Sequence, residues 1–206
     1  MLRFYASRLP AVEINNTFYR LPKESTLQSW AEQVPAEFRF VLKAPQRITH
    51  RKRLKDAGGE VEYLFRVATA LGAHRGAVLF QLPPYLRKNL LTLQNFLSIL
   101  PADRAVAFEF RHSSWFDDEI FECLRQHNCA LCTAEMDETE SSHLVSTAKW
   151  GYVRLRRSEY SRADLLSWKE RILAQPWDHA YVFFKHEDEG IGPKLAGEFL
   201  ELAGLE

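Results

Sequence analysis

The chain has 206 residues, with 27 Lys+Arg against 27 Asp+Glu, 46% hydrophobic and 26% charged. That length supports one sizeable core, and the even charge balance excludes a global field that would draw in nucleic acid or an anionic membrane. Any basic function must therefore be local. The cysteines Cys123, Cys129 and Cys132 are odd in number, and Cys129-Ala-Leu-Cys132 has CxxC spacing with no second such pair to complete a four-ligand set, so neither a disulfide framework nor a zinc knuckle fits, and a reduced cytoplasmic setting is expected. The opening Met1-Leu-Arg-Phe-Tyr-Ala-Ser-Arg lacks the apolar stretch of a secretory leader, and no run of about 18 apolar residues predicts a membrane helix.

In chain order, Leu2 to Leu9 reads as half a helix leading directly into the strand Val12-Glu-Ile-Asn15. Leu27, Trp30, Ala31 and Val34 follow Pro22 at i, i+3, i+4, i+7 and predict a helix. Phe38-Arg-Phe-Val-Leu-Lys43 is the second strand, and Val61, Leu64, Phe65, Ala68 and Leu71 mark the next helical stripe. Val78-Leu-Phe-Gln81 is a strand stopped by Pro83-Pro84, and Leu93, Phe96, Leu97 and Leu100 form the following helix. Val106-Ala-Phe-Glu-Phe-Arg-His112 precedes a helix carrying Ile120, Phe121 and Leu124, with Asp117-Asp118 as its acidic start and Ser113 or Ser114 as its expected cap. Ala130-Leu-Cys-Thr-Ala-Glu135, Tyr152-Val-Arg-Leu-Arg156 and Tyr181-Val-Phe-Phe-Lys-His186 complete the strands. The last two helices hold Leu165, Trp168 and Ile172, then Leu195, Phe199 and Leu200 after Pro193.

This alternation predicts a parallel sheet flanked by helices, within a single domain spanning 1–206. The fold class is α/β and TIM-barrel-like. Seven strands are visible where a closed (β/α)₈ barrel has eight. A helix fragment with no strand before it leads to the expectation that the first βα unit is missing. Open sheet edges would then invite self-association.

Every strand ends on polar or charged residues, and in such folds ligands sit at the carboxyl ends of the strands. Glu13 and Asn15 share a face, as do Glu109 and Arg111, and Arg154 and Arg156. Together with Lys43, Gln81, Glu135 and Lys185 they predict one polar mouth. Glu13 or Glu109 is the expected general base and His50 a second proton carrier, because imidazole titrates near neutral pH. Asn15, Tyr19, Lys43, Gln81, Arg111, Trp115, Arg154 and Lys185 are the expected substrate contacts, with Trp115 read equally well as a stacking platform or a lid over the core. Arg51 to Arg53 reads as a solvated basic run.

The expected substrate is a small anionic molecule. Nucleic acid is disfavoured by the neutral balance, although a nuclease or phosphoesterase is the alternative, with a divalent metal on Glu13, Glu109 and Glu135. His186, Glu187 and Asp188 are a second, weaker metal candidate. Otherwise no cofactor is expected and no metal ligand is assigned. A non-catalytic binding or scaffold role is a third alternative.

Several strings resemble the YecE-like family, domain of unknown function 72. They are Val12-Glu-Ile-Asn-Asn-Thr-Phe-Tyr19, Lys43-Ala-Pro with Ile48-Thr-His50, Phe80-Gln-Leu-Pro-Pro84, Phe108-Glu-Phe-Arg-His112 with Ser114-Trp115, and Tyr152-Val-Arg-Leu155. The resemblance covers nearly the whole chain. It implies a TIM barrel and puts all of the catalytic and substrate-contact candidates named above on family motif positions, but it implies no reaction. Two departures stand out: no Gly-Thr-x-Gly-Trp strand precedes Met1-Leu-Arg, and Lys185-His-Glu stands where many relatives carry asparagines.

Overall fold

A computed structural model describes residues 1–135, 144–157, 159–184 and 190–204. Seven strands form one parallel sheet in sequential order: β1 (Ala11–Ile14), β2 (Arg39–Lys43), β3 (Arg75–Gln81), β4 (Val106–Glu109), β5 (Ala130–Glu135), β6 (Trp150–Leu155) and β7 (His179–Phe184). The sheet curls into a nearly closed barrel. Helices α1 (Leu2–Ala6), α2 (Glu24–Ala31), α3 (Gly58–Ala68), α4 (Leu90–Leu97), α5 (Asp118–Gln126), α6 (Arg162–Leu173) and α7 (Ile191–Ala203) follow the predicted alternation.

Strand parity divides the side chains between two layers. Val41, Leu79, Ala107, Cys132 and Tyr152 point into the barrel, while Phe80, Phe96, Phe108 and Phe110 pack between sheet and helices. The interior is filled unevenly, with alanines on β3 to β5 (Ala77, Ala107, Ala130) facing Trp150 and Tyr152 of β6 and Tyr181 and Phe183 of β7. Gly151 is required by close packing. A Cβ there would lie 2.2 Å from a ring carbon of Trp177.

Local signals account for most boundaries. Helix α6 starts on a capping box in which Ser161 and Asp164 each bond the other's backbone N–H. Helix α5 is capped by Asp117, whose carboxylate accepts from the Glu119 N–H. The expected serine cap is therefore displaced: Ser114, in the β4–α5 loop, instead accepts from the Lys88 N–H of the β3–α4 loop. Helix α7 begins at Ile191, ahead of Pro193. Proline is tolerated there because first-turn N–H groups have no intrahelical acceptor.

Strands β1 and β7 are the two ends of the sheet and, among the described residues, pair only with β2 and β6. Between them runs a groove of ≈ 780 Å³, lined by Ala11, Tyr181, Val182, Leu173, Phe199 and Leu200 among others. Among the described residues no helix is long and apolar enough to cross a membrane.

Candidate functional site at the barrel mouth

Three strands deliver one buried ionic lattice to the carboxyl end of the barrel. Arg154, near the end of β6, donates through Nη2 to Glu13 Oε1 of β1 at 2.7 Å and through Nη1 to Glu109 Oε2 of β4 at 2.6 Å. Glu109 also accepts from Gln81 Nε2 at 2.8 Å and from Arg156 Nη2 at 3.0 Å on both oxygens. The Tyr152 hydroxyl donates to Glu13 Oε2 at 2.6 Å. The Glu109 side chain is 0% exposed and that of Arg154 4%. Such burial is tolerated only with every charge paired and every lone pair engaged. Burial alone would pull the Arg154 pKa down. Glu13 and Glu109 outweigh it and hold the guanidinium pKa above its ordinary value. Burial and the adjacent Glu13 push the Tyr152 hydroxyl up, so it stays a donor.

Lys43 stands beside this lattice without belonging to it. Its ammonium lies 4.4 Å from the centroid of the Phe18 ring. Among the described residues it has no carboxylate within ion-pair distance, because Glu13 and Glu109 are engaged by Arg154, Arg156, Tyr152 and Gln81. Burial lowers the Lys43 pKa, and the Arg154 charge lowers it further against the pull of Glu109 and Glu13.

The same Phe18 ring meets His50 edge-on at 4.9 Å. Burial lowers the His50 pKa, helped by the charges of Lys43 and Arg111, so this imidazole is neutral at pH 7. His50 Nδ1 lies 2.9 Å from Thr49 Oγ1. It belongs to a single π-type turn, Arg47–Arg51, where the sequence suggested only a loop after Pro45. Thr17 fixes Phe18 above Lys43: its hydroxyl lies 2.8 Å from the Ile14 carbonyl and 2.7 Å from the Lys43 carbonyl, tying the end of β1 to that of β2.

The predicted residues thus fall into groups. Glu13, Gln81, Glu109 and Arg154 meet in the lattice, while Lys43, His50 and Arg111 are electrostatically coupled at the rim. Asn15 and Tyr19 lie exposed in the turn after β1, with Tyr19 edge-on to Phe18 at 5.1 Å. Lys185, His186, Glu187 and Asp188 lie outside the described residues.

Trp115 requires a correction as a substrate contact. It is 1% exposed, stacks on Phe110 at 4.6 Å and donates Nε1–H to the Leu86 carbonyl at 2.7 Å. It therefore closes the helix-facing core. Glu135 is corrected too. It shares a face with Leu155, away from Arg154, and accepts from Tyr160 while pairing with Arg157. The three carboxylates of the metal alternative therefore do not converge, and among the described residues no cluster of three His, Cys, Asp or Glu gathers.

Sequence reasoning placed Arg156 at the mouth beside Arg154 but missed Phe18 and Tyr152. Tyr152 was legible by parity, two residues before Arg154 on the same strand. Phe18 was hidden inside a turn, where neither strand nor helix periodicity applies.

An α/β barrel with a polar mouth at its strand ends defines the class, and sequence comparison supplies the family. All of residues 1–206 match the family described as protein of unknown function DUF72, and the chain belongs to it. It is 30% identical over 129 residues to UPF0759 protein YunF of Bacillus subtilis, covering 59% of this chain and 46% of that protein. It is 35% identical over 117 residues to UPF0759 protein YecE of Escherichia coli, covering 56% and 43%. The matched segments thus span under half of those relatives. Among solved structures, a DUF72 family protein from Enterococcus faecalis superposes with a TM-score of 0.87 at 18% identity, over 100% of this chain and 89% of that one. One from Thermotoga maritima gives 0.82 at 24% identity, over 95% and 85%. At these identities the likeness speaks for the fold alone.

Proposed function

We propose that this chain is an enzyme acting on a small anionic substrate at the carboxyl-end mouth of the barrel. The observation that carries this reading is Lys43, a half-buried cation whose neighbouring carboxylates are already engaged by other donors. A buried charge without a fixed partner is costly, and a phosphate or carboxylate ligand would relieve that cost. Arg111, exposed and electrostatically coupled to Lys43, supplies a second cation. His50, neutral and on the same aromatic ring as Lys43, is the proton carrier.

Glu13 and Glu109 enter this reading as the residues that hold Arg154 and Arg156 in place. Each already accepts strong hydrogen bonds, which opposes proton abstraction by either. Asn15 and Tyr19, exposed in the turn after β1, enter this reading as further substrate contacts.

Calorimetric titration with inorganic phosphate and with small mono- and dicarboxylates tests the proposal. Lys43→Ala and Arg111→Ala are each expected to weaken anion binding by about 1.5–3 kcal/mol, roughly ten-fold or more. Equal affinity in wild type and both variants, or no binding across the series, would overturn it.

A further inference from the structure

Resting on that anion-binding reading, we propose that Lys43 is a covalent nucleophile that condenses with the carbonyl group of a small carboxylate- or phosphate-bearing aldehyde or ketone. The position suits it. Lys43 is the last residue of β2 and half-buried at the mouth, where reacting groups of barrels of this type collect. Most exposed lysines carry an ammonium in water, which is no nucleophile.

Here the surroundings differ. The amine has an aromatic face on one side and a guanidinium lattice nearby, and among the described residues no carboxylate pins it as an ammonium. Burial and the Arg154 charge favour the neutral amine, whereas Glu109, Glu13 and the Phe18 ring favour the cation. The net displacement is toward the reactive form.

The step balances without any further reagent. Lys43 loses a proton to the neutral His50, and the freed Nζ lone pair attacks the carbonyl carbon. The carbonyl π pair moves to oxygen, which takes up a proton from the attacking nitrogen, giving a carbinolamine. A second proton, returned from His50, lets the hydroxyl depart as water while the nitrogen lone pair forms C=N. An ammonium and a carbonyl thus become an iminium and one water, with no change of oxidation state. His50 Nε2, which makes no hydrogen bond to any described residue, is free to shuttle the proton, since Nδ1 faces Thr49. Arg111 would receive the substrate's anionic group.

The test is trapping with sodium cyanoborohydride in the presence of glyoxylate or pyruvate, followed by proteolysis and mass mapping of every lysine. Lys43 should be alkylated several-fold faster than exposed lysines such as Lys23 or Lys55, and inorganic phosphate should slow it selectively. Lys43→Arg keeps the charge and should bind phosphate while giving no adduct at this position. Labelling spread evenly over the surface lysines, or none at Lys43, overturns the covalent step. If phosphate still binds wild type in a Lys43- and Arg111-dependent manner, the anion site stands without it. If phosphate and carboxylates also fail to bind, both readings fall.

Discussion

Glu13 on β1 and Glu109 on β4 are joined through a single guanidinium, each accepting from a different terminal nitrogen of Arg154 at 2.7 and 2.6 Å. The bridge ties three strands across the barrel interior. Removing Arg154 would strand two nearly solvent-free carboxylates. Arg154→Met is therefore expected to destabilise the chain by about 3–5 kcal/mol, the usual consequence of breaking one side of a buried pair. Glu109→Gln keeps the shape but weakens charge-assisted bonds to two arginines, which is expected to cost about 1.5–3 kcal/mol. Urea unfolding followed by circular dichroism measures both. An Arg154→Met midpoint equal to wild type would contradict the structural role assigned to the lattice.

Trp115 separates stability from binding. Stacked on Phe110 and fully enclosed, it should respond to Trp115→Ala with a loss of about 3–5 kcal/mol from cavity and transfer effects. Phosphate affinity of the folded fraction should stay unchanged, because its indole faces the helix layer and bonds the Leu86 carbonyl. A variant with normal stability and weakened phosphate binding would return Trp115 to the site.

The strands were readable because buried parallel strands are near-continuous apolar runs, and the helices because Leu64, Phe65 and Ala68 or Leu165 and Trp168 recur at helical spacing. Parity on those strands also brought Glu13, Glu109 and Arg154 to one end. What parity cannot supply is depth. Trp115 and Glu135 both follow or end strands near the mouth, yet each turns to the helix side, one through a short turn and the other by falling one residue out of phase with Arg154. Nor does composition reveal which cation is left unpaired. Arg154 and Lys43 look alike in sequence, and only the three-dimensional allocation of Glu13 and Glu109 separates them.

His50 offers a pH test with a defined sign. Burial, Lys43 and Arg111 hold its folded pKa below 6.5. The unfolded chain therefore binds this proton more readily than the folded one. The His50 contribution to stability is complete above pH 6.5 and is lost as pH falls through the lowered folded value. Proton NMR of the imidazole should show a midpoint below 6.5 in wild type. Lys43→Met, which removes one repelling cation, should move it upward. A wild-type midpoint at or above 6.5 would remove His50 as the neutral proton carrier at the mouth.

The groove between β1 and β7 predicts association of the chain with itself. Unpaired strand edges present backbone donors and acceptors to another chain, and here they border an apolar cavity of ≈ 780 Å³. Leu173 at the end of α6 lines it and is 68% exposed, so a substitution there reaches the groove without disturbing the core. Sedimentation velocity should show a coefficient that rises with protein concentration. Leu173→Glu puts a charge into the groove and should shift the chain toward monomer without loss of folding, because this side chain contributes little buried area. A coefficient independent of concentration in wild type, or unchanged association in Leu173→Glu, would mean that the groove does not mediate contact between copies.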